Sequence, residues 1–213
     1  MAKTAEFKGN RRIVGGWIPS KNENKDYGYE RVGGSIVLRE AYQMPNGDLA
    51  TKFPAEVLPD TKSPLNFSLT GAENAKKVSD KEVCLTAPGA IGGAYIKDLP
   101  YSCRVTLDIE PVGNNHEYGF FLRAKDKAND GYKLSFDPNK RTIRLGEDTW
   151  IEAVKDLDKP IHLDIIMKGD IIDVCIDNRR CIVNRLPERK GNYLWLYAKQ
   201  GTVRFKNIQV YPL

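Results

Sequence analysis

The chain has 213 residues, 41% hydrophobic and 29% charged, with 33 Lys and Arg against 28 Asp and Glu for a formal net charge of +5. This balance fits one well-buried core with residues left over. It excludes a helical membrane span, because no apolar run nears the ~20 residues a bilayer requires. The densest basic clusters, Arg179-Arg180 and Arg189-Lys190, are interrupted by Asp177, Glu188 and Asn192 and come with no helix, zinc or single-strand-binding motif, so no nucleic-acid partner is expected.

The N-terminus "MAKTAEFKGNRR" has no apolar segment behind its charges, so neither an export signal nor a membrane anchor is expected in the chain as written. "RRIVGGWIP" (11–19) reads as a strand with two glycines, and a polar loop, "SKNENKDYGYE", follows. In "ERVGGSIVLRE" Ile36 and Leu38 share a face, and "PNGD" (45–48) marks a hairpin turn because Asn-Gly accepts positive φ. A short strand is expected at 49–53. The first sixty residues hold too little apolar surface to offset their own ordering entropy. Either they dock on the rest of the chain or they are the remnant of a preceding unit.

From Pro64 onward short alternating runs are separated by Gly, Asn, Asp and Pro turns. Val105, Leu107 and Ile109 share a face, as do Tyr118, Phe120, Leu122 and Ala124, then Tyr132, Leu134 and Phe136, then Ile143 and Leu145. "IHLDIIMKGDIIDVCIDN", "RCIVNRL", "NYLWLYAK" and "TVRFKNIQVYP" complete the set. "KGD" (168–170), "DNRR" (177–180) and "KQG" (199–201) fit hairpin turns, and "DPNK" (137–140) a type I turn. Only "GAENAKKVSD" (71–80) has room for a helical turn. The fold class is all-β: an antiparallel β-sandwich over 61–213 with an N-terminal β-hairpin arm over 1–60.

The four cysteines, Cys84, Cys103, Cys175 and Cys181, lack C-x-x-C spacing and have two histidines for company, so no zinc or other cofactor is expected. Free, half-buried thiols are expected; their disulfide state and the redox compartment stay open. His116 and His162 have no nucleophile motif nearby and read as structural. "NFS" (66–68) fits a glycosylation acceptor only in a secreted eukaryotic chain. "GAIGGAY" (89–95) reads as a strand with close backbone approach rather than a nucleotide loop.

"RRIVGGWIPS", then "GYERVGGSIVLRE", then "MPNGDLATKFPAEVL" resembles the end of the catalytic β-propeller of glycoside hydrolase family 32, the invertases, inulinases and levanases. Val32 stands where that family usually has Trp, and Leu38 where it usually has Pro. "YGFFLRA", "GYKLSFDP" and "GTVRFKNIQVYPL" are similar to the family's C-terminal sandwich and to concanavalin-like, jelly-roll sandwiches, including fructan-binding modules. The resemblance implies a parent that is secreted or periplasmic and an upstream propeller as partner.

Retaining glycoside hydrolysis needs two carboxylates flanking the scissile bond. The family's nucleophile, stabiliser and acid motifs are absent from this sequence, and "FDP" (136–138) lacks their context. No catalysis by this chain alone is expected. Sugar binding needs an aromatic platform beside groups that hydrogen-bond hydroxyls. The candidates are Glu117, Arg123, Asp137 and Arg144 with Trp150 or Trp195 as platform. The competing reading packs the aromatics under loops and pairs the charges across strands. Three functions stay open: an accessory sandwich contacting fructan or another carbohydrate, a subunit active only with a separate propeller, and a structural module that oligomerises through an exposed strand edge.

Overall fold

The computed structural model describes residues 2–59 and 63–213; the expected boundary at 60/61 lies outside them. Strands β1 (Lys3–Phe7), β2 (Arg11–Lys21), β3 (Glu30–Gln43) and β4 (Leu49–Lys52) form one antiparallel sheet in that order. The expected hairpin, β3–β4, forms the edge of this sheet, which β1 and β2 extend to four strands. β1 carries no apolar alternation, because all five of its residues are exposed. The Asn-Gly turn closes as its residues dictate: Met44 N donates to Asp48 O at 2.8 Å and Gly47 takes φ +89°.

The remaining strands are β5 (Leu69–Gly71), β6 (Ala75–Ser79), β7 (Glu82–Ile96), β8 (Cys103–Val112), β9 (Glu117–Ala124) and β10 (Tyr132–Asp137). They continue with β11 (Thr142–Leu145), β12 (Thr149–Ile151), β13 (Ile161–Lys168), β14 (Ile171–Ile176), β15 (Arg180–Arg185) and β16 (Tyr193–Pro212). They pack as two antiparallel layers that share β7 and β16. The front layer runs β12-β11-β10-β9, then residues 193–199 of β16, then residues 91–96 of β7 with β5 beyond. The back layer runs β15-β14-β13-β8, then residues 202–212 of β16, then residues 83–87 of β7 with β6 beyond.

Two local expectations are corrected. "GAENAKKVSD" holds no helical turn: its lysines pair with β7 in a hairpin closed at residues 80–81, because adjacent strand partners outweigh a weak helical preference. "KQG" is not a hairpin turn but a bulge inside β16, where Gln200 takes φ +52° and the register against β7 shifts between Lys199 and Gly201. A side chain at Gly201 would stand 2.1 Å from Asn115 Oδ1, so glycine lets the strand bend from one layer into the other.

The core fills the space between the layers as the period-two pattern requires. Tyr118, Phe120, Leu122, Leu134, Phe136 and Leu196 face Val105, Leu107, Ile109, Leu163, Ile165 and Phe205, and all are buried. Each such side chain contributes about 1.5–3 kcal/mol. Tyr118 stacks on Phe136 at 5.4 Å and donates its hydroxyl to Leu157 O at 2.7 Å, satisfying the one polar atom that its burial strands.

The N-terminal sheet docks on the outer face of β14 and β15. Ile18 and Phe53 are buried there, and Arg39 pairs with Asp173 at 2.5 Å. Arg185 donates to Pro19 O at 2.8 Å and to Ser35 Oγ at 2.9 Å, while Asp170 holds its guanidinium from behind at 2.6 Å. Thr51 N reaches Arg179 O at 3.0 Å. Cys175 and Cys181 lie opposite each other in the β14–β15 pair beneath this contact, and Cys181 donates to Thr51 O. All four cysteines are free thiols. The opposite face of the sheet leaves Trp17 and Ile36, cross-strand partners, largely exposed.

Candidate functional site

Strand alternation sends every second residue of the front layer outward. Glu117, Gly119 and Phe121 of β9 therefore lie beside Lys133, Ser135 and Asp137 of β10, Thr142 and Arg144 of β11, and Trp150 of β12. The register places Ser135 between Gly119 and Arg144, and Arg144 opposite Trp150. On the other side of β9, Trp195 lies opposite Phe121, and Tyr197 opposite Gly119.

Two adjoining grooves cover this face. The first, of about 540 Å³, is lined by Glu117, Lys133, Ser135, Asp137, Arg144 and Trp150 among others. The second, of about 530 Å³, is more apolar and is lined by Ile91, Gly93, Phe121, Trp195 and Tyr197, with Glu117 and Lys133 shared between the two. Both fall in the size range of small-ligand sites. Gly119 keeps the floor flat: its φ is +152°, and an added Cβ would meet Leu134 O at 2.0 Å.

The charges are held in place. Lys133 Nζ donates to Glu117 Oε1 at 2.8 Å, and Asp137 accepts from Lys140 N at 2.8 Å. The Arg144 guanidinium lies 5.5 Å from the centre of the Trp150 ring and donates to Glu147 O at 3.2 Å. Trp150 is half exposed, and its indole N–H is fixed by Glu152 at 3.1 Å. Its ring is thus oriented yet open to solvent. At the floor, the Tyr197 hydroxyl stands beside Glu117 and Ser135 without a hydrogen bond of normal geometry to either, and the Trp195 indole N–H is likewise unpartnered among the described residues. Burial, then the neighbouring Glu117 charge, pushes the Tyr197 phenol well above its ordinary value.

Of the six sequence candidates, Glu117, Asp137, Arg144 and Trp150 share the first groove, and Trp195 lies in the second. Arg123 is elsewhere. Its backbone takes φ +54° where the register of β9 against β16 slips, so its side chain leaves the outward row. It is 3% exposed, donates to Gly169 O at 2.6 Å and lies 4.2 Å from the Tyr101 ring centre. There it braces the residue 168–170 turn whose Asp170 orients Arg185. Lys133, Ser135 and Tyr197 complete the site. All three occupy the outward phase of their strands, and only the inter-strand register, invisible in the alternation, shows that they converge.

The set offers carboxylate acceptors, cationic donors and two aromatic faces on one open surface. Glu117 is tied to Lys133 and Asp137 caps a turn, so both are held as acceptors.

No protein-family model matches the chain, and no curated protein matches it. Solved structures do. The carbohydrate-binding module CBM66 from Bacillus subtilis superposes with a TM-score of 0.59 at 16% identity, over 68% of this chain and 97% of that one. Fructan 1-exohydrolase IIa from Cichorium intybus gives 0.64 at 14% identity, over 100% of this chain and 47% of its own. The Bombyx mori family 32 β-fructofuranosidase BmSUC1 gives 0.59 at 12%, over 100% and 40%. Along its whole length, the chain has the fold of a part of family 32 glycoside hydrolases. The N-terminal sheet is included in that family 32 match, whereas the binding module spans a share close to the size of the sandwich alone. This chain corresponds to less than half the length of either enzyme.

Proposed function

We propose that this chain is the non-catalytic, carbohydrate-binding sandwich portion of a family 32-like glycoside hydrolase, and that fructan is its ligand. The observation that carries the reading is the front-layer face, where Trp150, Arg144, Glu117 and Asp137 line one groove and Trp195 opens the next. Trp150 supplies a ring for the C–H face of a sugar; Arg144 donates to, and Glu117 and Asp137 accept from, its hydroxyls. The match to a carbohydrate-binding module and to fructan-cleaving enzymes supports fructan over other polyhydroxylated ligands. In this reading residues 1–60 are the last strands of a propeller and its linker, residues 61–213 are the accessory domain, and the catalytic carboxylates belong to an upstream propeller.

Calorimetric titration with levan, inulin and fructose tests the proposal. Arg144→Ala removes charge-assisted hydrogen bonds worth about 1.5–3 kcal/mol, so affinity falls about ten- to hundredfold. Trp150→Ala weakens binding further. Silence of the native chain toward every fructan, or binding indifferent to both substitutions, refutes the reading. Release of fructose by the purified chain refutes its non-catalytic part.

A further inference from the structure

Resting on the carbohydrate reading above, we infer that the N-terminal sheet lends an aromatic residue, Tyr27, to the sugar-binding face, which makes the site selective for oligosaccharides over single sugars. A third hollow, of about 140 Å³, borders the two grooves and is lined by Asp26 and Tyr27 from the loop between β2 and β3. It shares Lys133 with both grooves, Phe121 with the apolar one and Glu147 with the polar one. The three depressions are therefore one path across the front layer. Its last stretch is walled by the other sheet.

An exposed tyrosine by itself is ordinary. Here the loop around it is anchored on both sides of the ring. Lys21, 8% exposed, donates to Asp26 O at 2.6 Å and to Asp148 at 2.9 Å, and Asn184 holds Asp148 in turn at 2.7 Å. Asp26 N donates to Glu188 at 2.6 Å, and the Asp26 carboxylate accepts the Tyr132 hydroxyl at 2.9 Å. Within the loop, Gly28 N reaches Lys25 O at 3.0 Å and Asn22 N reaches Tyr29 O at 3.1 Å. The backbone that carries Tyr27 is thus fastened to the rim of the front layer, while its side chain stays 76% exposed. A fixed, exposed ring at the end of a polar path suits stacking on a sugar unit beyond those held over Trp150 and Trp195. A monosaccharide in either groove does not reach it.

Titration of the full chain with fructose disaccharide, tetrasaccharide and octasaccharide tests this, using native protein, Tyr27→Ala and Tyr27→Phe. The native affinity rises with length. Tyr27→Ala lowers octasaccharide affinity about two- to tenfold, the range expected for one aromatic stacking contact, and leaves the disaccharide within twofold; Tyr27→Phe restores the long-chain gain. Because the ring is exposed, both variants retain the native melting temperature. Equal native affinity at all lengths, or an alanine effect that is nil or the same at every length, overturns the inference while the carbohydrate reading stands. A native chain that binds none of the three overturns both.

Discussion

Replacing Arg39 by alanine removes the cation that meets Asp173 under the N-terminal sheet. The two side chains are 13% and 15% exposed and 2.5 Å apart, and Asp164, a like charge, also faces Asp173. Burial, the largest influence, already holds the Asp173 carboxyl above its ordinary value despite Arg39. Breaking a buried pair from one side costs about 3–5 kcal/mol. At about 2–4 °C per kcal/mol for a chain of this size, the melting temperature falls by about 6–20 °C. The sign with pH follows: in the variant the folded-state pKa of Asp173 lies further above its unfolded value, so the deficit is full above the folded pKa and shrinks on acidification toward the unfolded one. Arg39→Met with Asp173→Leu removes both charges and costs far less than the single change. Urea titration measures the loss, and alkylation of Cys175, 1% exposed beneath the docked sheet, reports whether that sheet lifts first. An Arg39→Ala variant within ~0.5 kcal/mol of native, the scatter expected of ordinary surface substitutions, or a double variant as damaged as the single, refutes the reasoning.

Gly119→Ala drives a Cβ against Leu134 O at a strained φ, so it costs at least about 1–3 kcal/mol and distorts the groove floor; thermal melting and fructan titration fall together. Burial, chiefly, holds the Asp26 carboxyl above its ordinary value, so its contribution to stability is present below the unfolded-state pKa and is lost as pH rises through the folded one. Asp26→Asn removes this component of the pH profile in denaturation scans. Cys103, whose thiol burial pushes up to about 12, resists alkylation in the native protein, whereas the more accessible Cys84 reacts; mass spectrometry after brief labelling distinguishes them. Tyr118→Phe leaves Leu157 O without its partner and costs about 1 kcal/mol in urea titration.

The sandwich was legible because both layers have one dry face, and a period of two along 105–109, 118–124 and 132–136 then records which side is in. The outward row was legible by the same alternation for Glu117, Asp137 and Arg144, whereas Trp150 could be placed only near a turn, because its strand is three residues long. Arg123 departs from the alternation through its own left-handed backbone: one such φ reverses the parity of the side chains. β1 left no trace because nothing in it is buried. The anchoring of the loop that carries Tyr27 was hidden for another reason. Residues 26 and 132 meet through a hydrogen bond across 106 positions, and no local pattern encodes such a meeting.

The strand of residues 193–212 sets a schedule for biosynthesis. Its first half separates β9 from β7 and its second half separates β8 from β7, so neither layer has a centre until Pro212 has left the ribosome. Everything made earlier must wait with its apolar faces uncovered, and the pairings that finally enclose them join residues as far apart as Val83 and Phe205, the kind of topology that assembles slowly.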